Sequence, residues 1–128
     1  MDKDTLLLRQ IHPGWVQADS VSALAIIPTV QNFQPSRNDE GGLSTYNSEK
    51  YTPQAAFDHF IGEGYKTTGV MGLTLEECTD ASLACSENNY PFDGHCIIDF
   101  NVIEKEKWKD TSRKIYRLAL SRNWLYKK

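Results

Sequence analysis

Apolar and polar residues first alternate over residues 5–11. There Leu7, Arg9 and Ile11 share one face of an extended strand, and Leu6, Leu8 and Gln10 share the other. Pro13-Gly14 breaks the strand. Residues 21–27 are almost continuously apolar, the pattern of a strand covered on both faces, and Pro28 ends it. Residues 31–42 then read as a long polar loop or flap, rich in Gln, Asn, Ser and Asp and closed by Gly41-Gly42. Residues 43–47 fit a short strand.

Helix signals follow. Thr52 suits an N-cap and Pro53 the first helical position, with Ala56, Phe57, Phe60 and Ile61 as the apolar stripe and Gly62 and Gly64 as the stop. Residues 67–74 read as a strand in which Gly69 and Gly72 permit close backbone packing or a bulge. Thr74 and Glu77 have the spacing of a capping box opening a short helix. Residues 86–94 form a second polar loop, and residues 95–100 are the clearest strand. Asn101, with Glu104 three positions on, predicts the cap of a final helix reaching about Arg122. Its buried stripe is Trp108, Ile115, Leu118 and Ala119, and Trp124-Leu125-Tyr126 then packs back or adds an edge strand. The pattern predicts an α+β fold in one domain, residues 1–128: a mixed sheet of about five or six short strands with three helices, the longest near the C-terminus.

Composition fits a domain with its own core: 128 residues, 40 % of them hydrophobic. Nothing resembles a transmembrane helix or a signal peptide, so a cytosolic protein with no membrane association is expected. Three irregularly spaced cysteines suit free thiols in a reducing compartment. Charge is divided unevenly. Residues 104–128 carry nine bases and three acids, or +6, whereas residues 1–103 carry five bases and fourteen acids, or −9. On the last helix Lys107, Arg113, Lys114 and Arg117 share the outward face with Glu106 and Asp110, and Asp110 is placed to pair with Lys114. Such a face is solvated, or it docks an acidic protein partner. No nucleic-acid motif accompanies it, and nucleic acid is not an expected partner.

Arg9 is the oddest residue, a guanidinium in mid-strand beside Leu7 and Ile11. It needs a partner if buried, and Asp99 is a natural one for a structural ion pair. His95 and Asp99 share a strand face but lie roughly 13 Å apart along it, too far for a dyad. His12, His95 and Arg9 could instead hold or cleave a phosphate ester by general acid–base chemistry, with Glu77 as a carboxylate. Cys78, Cys85, His95 and Cys96 lack the paired spacing of a zinc knuckle, so no metal is expected. No phosphate-loop, dinucleotide or nucleophile-elbow motif is present, and no cofactor is expected.

The segments Leu7-Leu8-Arg9-Gln10-Ile11-His12-Pro13, Leu43-Ser44-x-Tyr46, Gly69-Val70 followed by Thr74, His95-x-x-Ile98-Asp99-Phe100 and Arg122-x-Trp124-Leu125-Tyr126 together resemble a group of short bacterial proteins of unassigned function. That resemblance carries no activity. It implies a bacterial, cytosolic, stand-alone protein, an accessory of a conflict or defence locus. A fainter similarity is to ADP-ribosyltransferases, in which an Arg or His on the first strand, a Ser/Thr-rich strand and a Glu hold NAD in that order. Arg9, Ser44-Thr45 and Glu76 or Glu77 follow the order, although Tyr46 replaces the second serine of the usual Ser-Thr-Ser. The resulting expectation is a non-enzymatic protein acting through a protein partner. The rival is a small ADP-ribosyl-transferring or phosphodiester-cleaving enzyme using Arg9, His12 and His95.

Overall fold

The computed structural model describes residues 1–18, 26–35 and 40–128. At its centre is β1 (Leu6–Ile11), flanked by β4 (Gly42–Asn47) and β5 (Gly69–Thr74). β7 (His95–Asp99) and β6 (Ala84–Glu87) extend the sheet beyond β4, and β8 (Tyr126–Lys127) closes it beyond β5. The order is β6-β7-β4-β1-β5-β8, and every ladder is antiparallel. The α+β class, the single domain and the three helices are as the hydrophobic pattern predicts.

Alternation along the strands gives the sheet two dry faces. Leu7, Ile11, Leu43, Met71 and Ile98 pack with Ile115 and Ala119 of α3 (Trp108–Arg122) on one side. Leu8, Tyr46 and Val70 pack with Ala56 and Phe57 of α1 (Pro53–Gly62) on the other. The Thr52 side chain accepts the Ala55 N–H at the start of α1, as its position predicts. α1 is too short to cover its whole side of the sheet: it lies mainly over β1, β5 and β8 and reaches β4 through Tyr46. Most of that face over β4 and β7 is left for other cover.

Several local expectations change. β6 occupies the start of the expected 86–94 loop. The 31–42 loop opens with a 3₁₀ turn, Val30–Phe33, and residues 36–39 lie outside the described part. Of the strand expected at 21–27, residues 21–25 also lie outside it; its end belongs to β3 (Ile26–Pro28), which pairs with β2 (Val16–Ala18) in a separate two-stranded sheet. Asn101 does not cap the last helix. Its amide locks a turn by donating to the Glu40 carbonyl at 2.7 Å and to Asp99 at 3.0 Å, and α3 follows a 3₁₀ turn at Lys105–Lys107. Gly41 takes φ +90° there, where a Cβ would lie 2.6 Å from that amide. Gly69 makes a close approach to backbone: a Cβ would meet the Tyr126 carbonyl at 2.5 Å, so β8 can pair only against glycine.

Thr74 and Glu77 form the full capping box of α2 (Leu75–Asp80). Glu77 Oε1 also accepts from Arg122 at 2.7 Å, joining α2 to the end of α3. Burial disfavours the ionised carboxylate, but bonds from Arg122 and Thr74 outweigh it and hold Glu77 below the ordinary carboxyl value of 4.5. A depressed carboxyl stabilises the fold above its unfolded value and loses that contribution as pH falls through the folded one. The stability advantage of wild type over Glu77→Gln should therefore be full well above pH 4.5 and shrink below it. Denaturant melts across the acid range check this, and an advantage independent of pH would contradict it. At neutral pH, Glu77→Ala should cost about 2 kcal/mol.

Candidate functional site

The β1–β4 ladder pairs Leu7 with Asn47 and Leu8 with Tyr46, whereas β1 stays paired with β5 as far as Ile11–Gly69. Beyond Leu8 the backbone groups of β1 and β4 therefore need other partners. Arg9 supplies one. Its Nη1 donates to the Ser44 carbonyl at 3.0 Å and its Nε to the Asn32 carbonyl at 2.7 Å. The expected Arg9–Asp99 ion pair is not formed. Asp99 lies opposite Gly42, farther along the sheet, and its carboxylate accepts from Asn101.

Asn32, fully buried in the 3₁₀ turn, completes the junction. Its Oδ1 accepts the His12 N–H at 2.9 Å, and its Nδ2 donates to the carbonyls of Trp15 at 2.9 Å and Thr29 at 3.1 Å. The segment carrying His12 and Trp15 is thereby tied to β1. His12 Nδ1 accepts from Gly14 N–H, and the His12 and Trp15 rings lie 5.0 Å apart.

A pocket of about 390 Å³ opens where the two strands part. Arg9, Gln10, Ser44, Thr45 and Tyr46 line it from the sheet, and His95 from β7. Three aromatic pairs from separate parts of the chain reach it. His12 and Trp15 come from the turn after β1. Phe60 and Tyr65, stacked at 4.9 Å, come from the end of α1. Phe92 comes from the loop before β7 and stacks at 4.6 Å on Tyr46. Glu63 and Lys66 stand exposed in its lining.

Tyr46 is held by more than stacking. Burial, with help from Tyr51, Glu63 and Tyr65, raises its phenol well above the ordinary range, so the hydroxyl keeps its proton. The Tyr46 hydroxyl lies 2.9 Å from His59 Nδ1, in a hydrogen bond whose donor is set by the His59 tautomer. His59 Nε2 lies 3.6 Å from Glu63. Burial lowers the His95 imidazole, so its ring is neutral at pH 7.

The pocket thus brings together Arg9, His12 and His95, as the phosphate-ester reading requires. Glu77 is not among them: it is committed to Thr74 and Arg122 at the α2 terminus, and the carboxylate in the pocket wall is Glu63. Ser44 and Thr45 lie beside Arg9 in the lining, whereas neither Glu76 nor Glu77 does. The sequence pattern gives no cue to Trp15, Tyr65, Lys66 and Phe92. Each sits in a turn or loop with no periodicity to place it, and only the fold shows where it points. Lys107, Arg113, Lys114 and Arg117 are all exposed on the far side of the sheet. Asp110 pairs there with Arg113 at 3.7 Å, not with Lys114, whose Nζ reaches the Asp80 carbonyl at the end of α2. Among the described residues no group of three His, Cys, Asp or Glu is placed to hold a metal ion, and no helix is long and apolar enough to cross a membrane.

No family model matches the sequence, no characterised protein matches it, and no solved structure matches the fold.

Asn32→Ala leaves the His12 N–H without its partner and takes one of several donors from the Trp15 and Thr29 carbonyls, and should cost about 2 kcal/mol. Denaturant unfolding gives that figure, and amide exchange at Trp15 should quicken out of proportion to exchange in α3. A loss below about 1 kcal/mol would mean that the turn is held by other contacts.

Proposed function

We propose that this protein binds a small organic anion with a flat ring, of the nucleotide class, in the pocket beside β1 and β4. The convergence of three aromatic pairs on one cavity lined by Arg9 and Lys66 carries the reading. The volume suits a drug-sized ligand. Aromatic walls favour a flat ring, with base–aromatic stacking contributing about 1–3 kcal/mol per base. Lys66 at the rim offers an anionic group a cation that its exposed side chain can bring to bear. Acid–base work on the bound molecule, if it occurs, falls to His12, His95 and Glu63. Free cysteines among the described residues support a reducing, cytosolic setting.

A second reading rests on a separate observation. Lys107, Arg113, Lys114 and Arg117 are exposed on the side of the sheet away from the pocket, where they can meet an acidic protein without disturbing a bound ligand.

Titration calorimetry with adenosine and cytidine 5′-monophosphates, against ribose 5-phosphate, tests the first reading. Ring-bearing ligands should bind the more tightly, and Lys66→Glu should weaken them by about tenfold, roughly 1.4 kcal/mol. Indifference to the ring, or to Lys66→Glu, would sink it. For the second, reversing Lys107, Arg113, Lys114 and Arg117 to Glu should abolish capture of an acidic partner and leave ligand affinity unchanged. Capture that survives the reversal removes the basic face from consideration.

A further inference from the structure

The cysteines come from three separate elements but meet in one place. Cys78 lies in α2, Cys85 in β6 and Cys96 in β7, and all are free thiols. Cys78 and Cys96 belong to the core that α3 covers, and Cys85 packs against it. After α2 the chain turns back at once, the Leu83 N–H donating to the Cys78 carbonyl at 3.0 Å, and α2 packs on β6. Alternation then turns Leu83 and Cys85 alike into that core. The Cys78 and Cys85 thiols end side by side as hydrogen-bond partners.

The two partners are unlike. Cys78 is fully buried, whereas Cys85 is half-buried on an edge strand, between exposed Ala84 and Ser86. The hydrogen bond from Cys78 holds the Cys85 thiol below its ordinary range, against the opposing effect of burial. The same bond, with burial, raises Cys78, which keeps its proton. Burial pushes Cys96 up to about 11. The thiolate is the nucleophile, so the sulfur nearer solvent is also the more reactive one, with a protonated thiol beside it. Cys96 cannot serve as that neighbour. Cys85 lies opposite Ile98, so Cys96 is its diagonal neighbour, about 7–8 Å away and beyond the usual span of a disulfide.

We infer that Cys78 and Cys85 form a peroxide-reactive pair, in which Cys85 attacks a hydroperoxide and Cys78 closes a disulfide with it. With hydrogen peroxide, the Cys85 thiolate bonds to one oxygen and the O–O bond breaks. The sulfur is oxidised to a sulfenic acid, and the other oxygen leaves as hydroxide and takes a proton from solvent. The Cys78 sulfur then attacks the Cys85 sulfur. The S–O bond breaks, and the departing hydroxide takes the Cys78 proton. Two thiols and one peroxide thus give one disulfide and two waters. The new bond staples α2 to the edge of the sheet, away from the pocket, so the pair is independent of any ligand bound there.

Peptide mapping of the intact protein tests this. The folded wild type is treated with a stoichiometric amount of hydrogen peroxide at neutral pH, and the remaining thiols are alkylated under denaturing conditions. Cleavage after Asp80 and Glu87 then separates the three cysteines. The expected product is a Cys78–Cys85 cross-link, lighter by two hydrogens than its free peptides, with Cys96 alkylated. In Cys78→Ala, Cys85 should stop at the sulfenic acid, which dimedone captures, and should form it about tenfold more slowly than in wild type. In Cys85→Ser, Cys78 should stay reduced. A cross-link to Cys96, peroxide consumed at Met1 or Met71 with all three thiols left intact, or a Cys78 that oxidises in Cys85→Ser would overturn the assignment. The wild-type map decides the matter even if neither variant folds.

Discussion

The Asn32 side chain is the junction on which the described surroundings of the pocket depend. A buried amide is costly unless all its capacity is used. Here the oxygen takes the His12 N–H, the nitrogen serves two carbonyls, and the residue's own carbonyl takes Arg9 Nε. One residue thus satisfies the backbone at the parting of two strands and ties together a turn, a 3₁₀ segment and the central strand. The sheet can split at Leu8 with the Ser44 and Asn32 carbonyls and the His12 N–H still paired, and the split is where the pocket opens.

The two faces of the sheet divide the work. α3 covers one face and buries the larger core, so its outward cations are remote from the pocket. α1 covers part of the other face. The remainder is roofed by aromatic side chains from loops, which leave a cavity because rings that meet edge to face or in tilted stacks do not fill space as a helix does. Cover by a helix gives a core, and cover by paired rings gives a site.

Much of the fold could be read from the sequence because its signals are local. Thr52-Pro53 starts α1, Thr74 and Glu77 start α2, and alternation marks β1 and β7. Where partners are distant, local reading fails. Asn32 looks like any loop asparagine until three long-range bonds, to Arg9, His12 and Trp15, are seen. Asn101 has cap spacing but is claimed by the Glu40 turn. β6 is polar because it is an edge strand, and composition alone reads it as loop. At the site, Arg9, His12 and His95 stand out because polar groups on or beside apolar strands demand partners. Glu77 stood out for a different reason, its capping role, and that role is the one it fills. The rings that complete the pocket carry no such signal, since an aromatic residue in a loop is unremarkable until the fold shows what it faces.

The sheet ends as it does for a reason tied to Gly69. Its inner strands β1, β4 and β5 have six residues each, but its outermost strands have four in β6 and two in β8. β8 exists only because Gly69 lets the Tyr126 backbone approach, and it carries Lys127 beside the chain's last lysine. A sheet invites another chain to extend it in proportion to the backbone its edges expose. Tapered and partly lysine-tipped edges offer a visiting strand few bonds and an unfavourable charge. The same glycine that admits the last strand therefore helps keep copies of this protein from joining sheet to sheet.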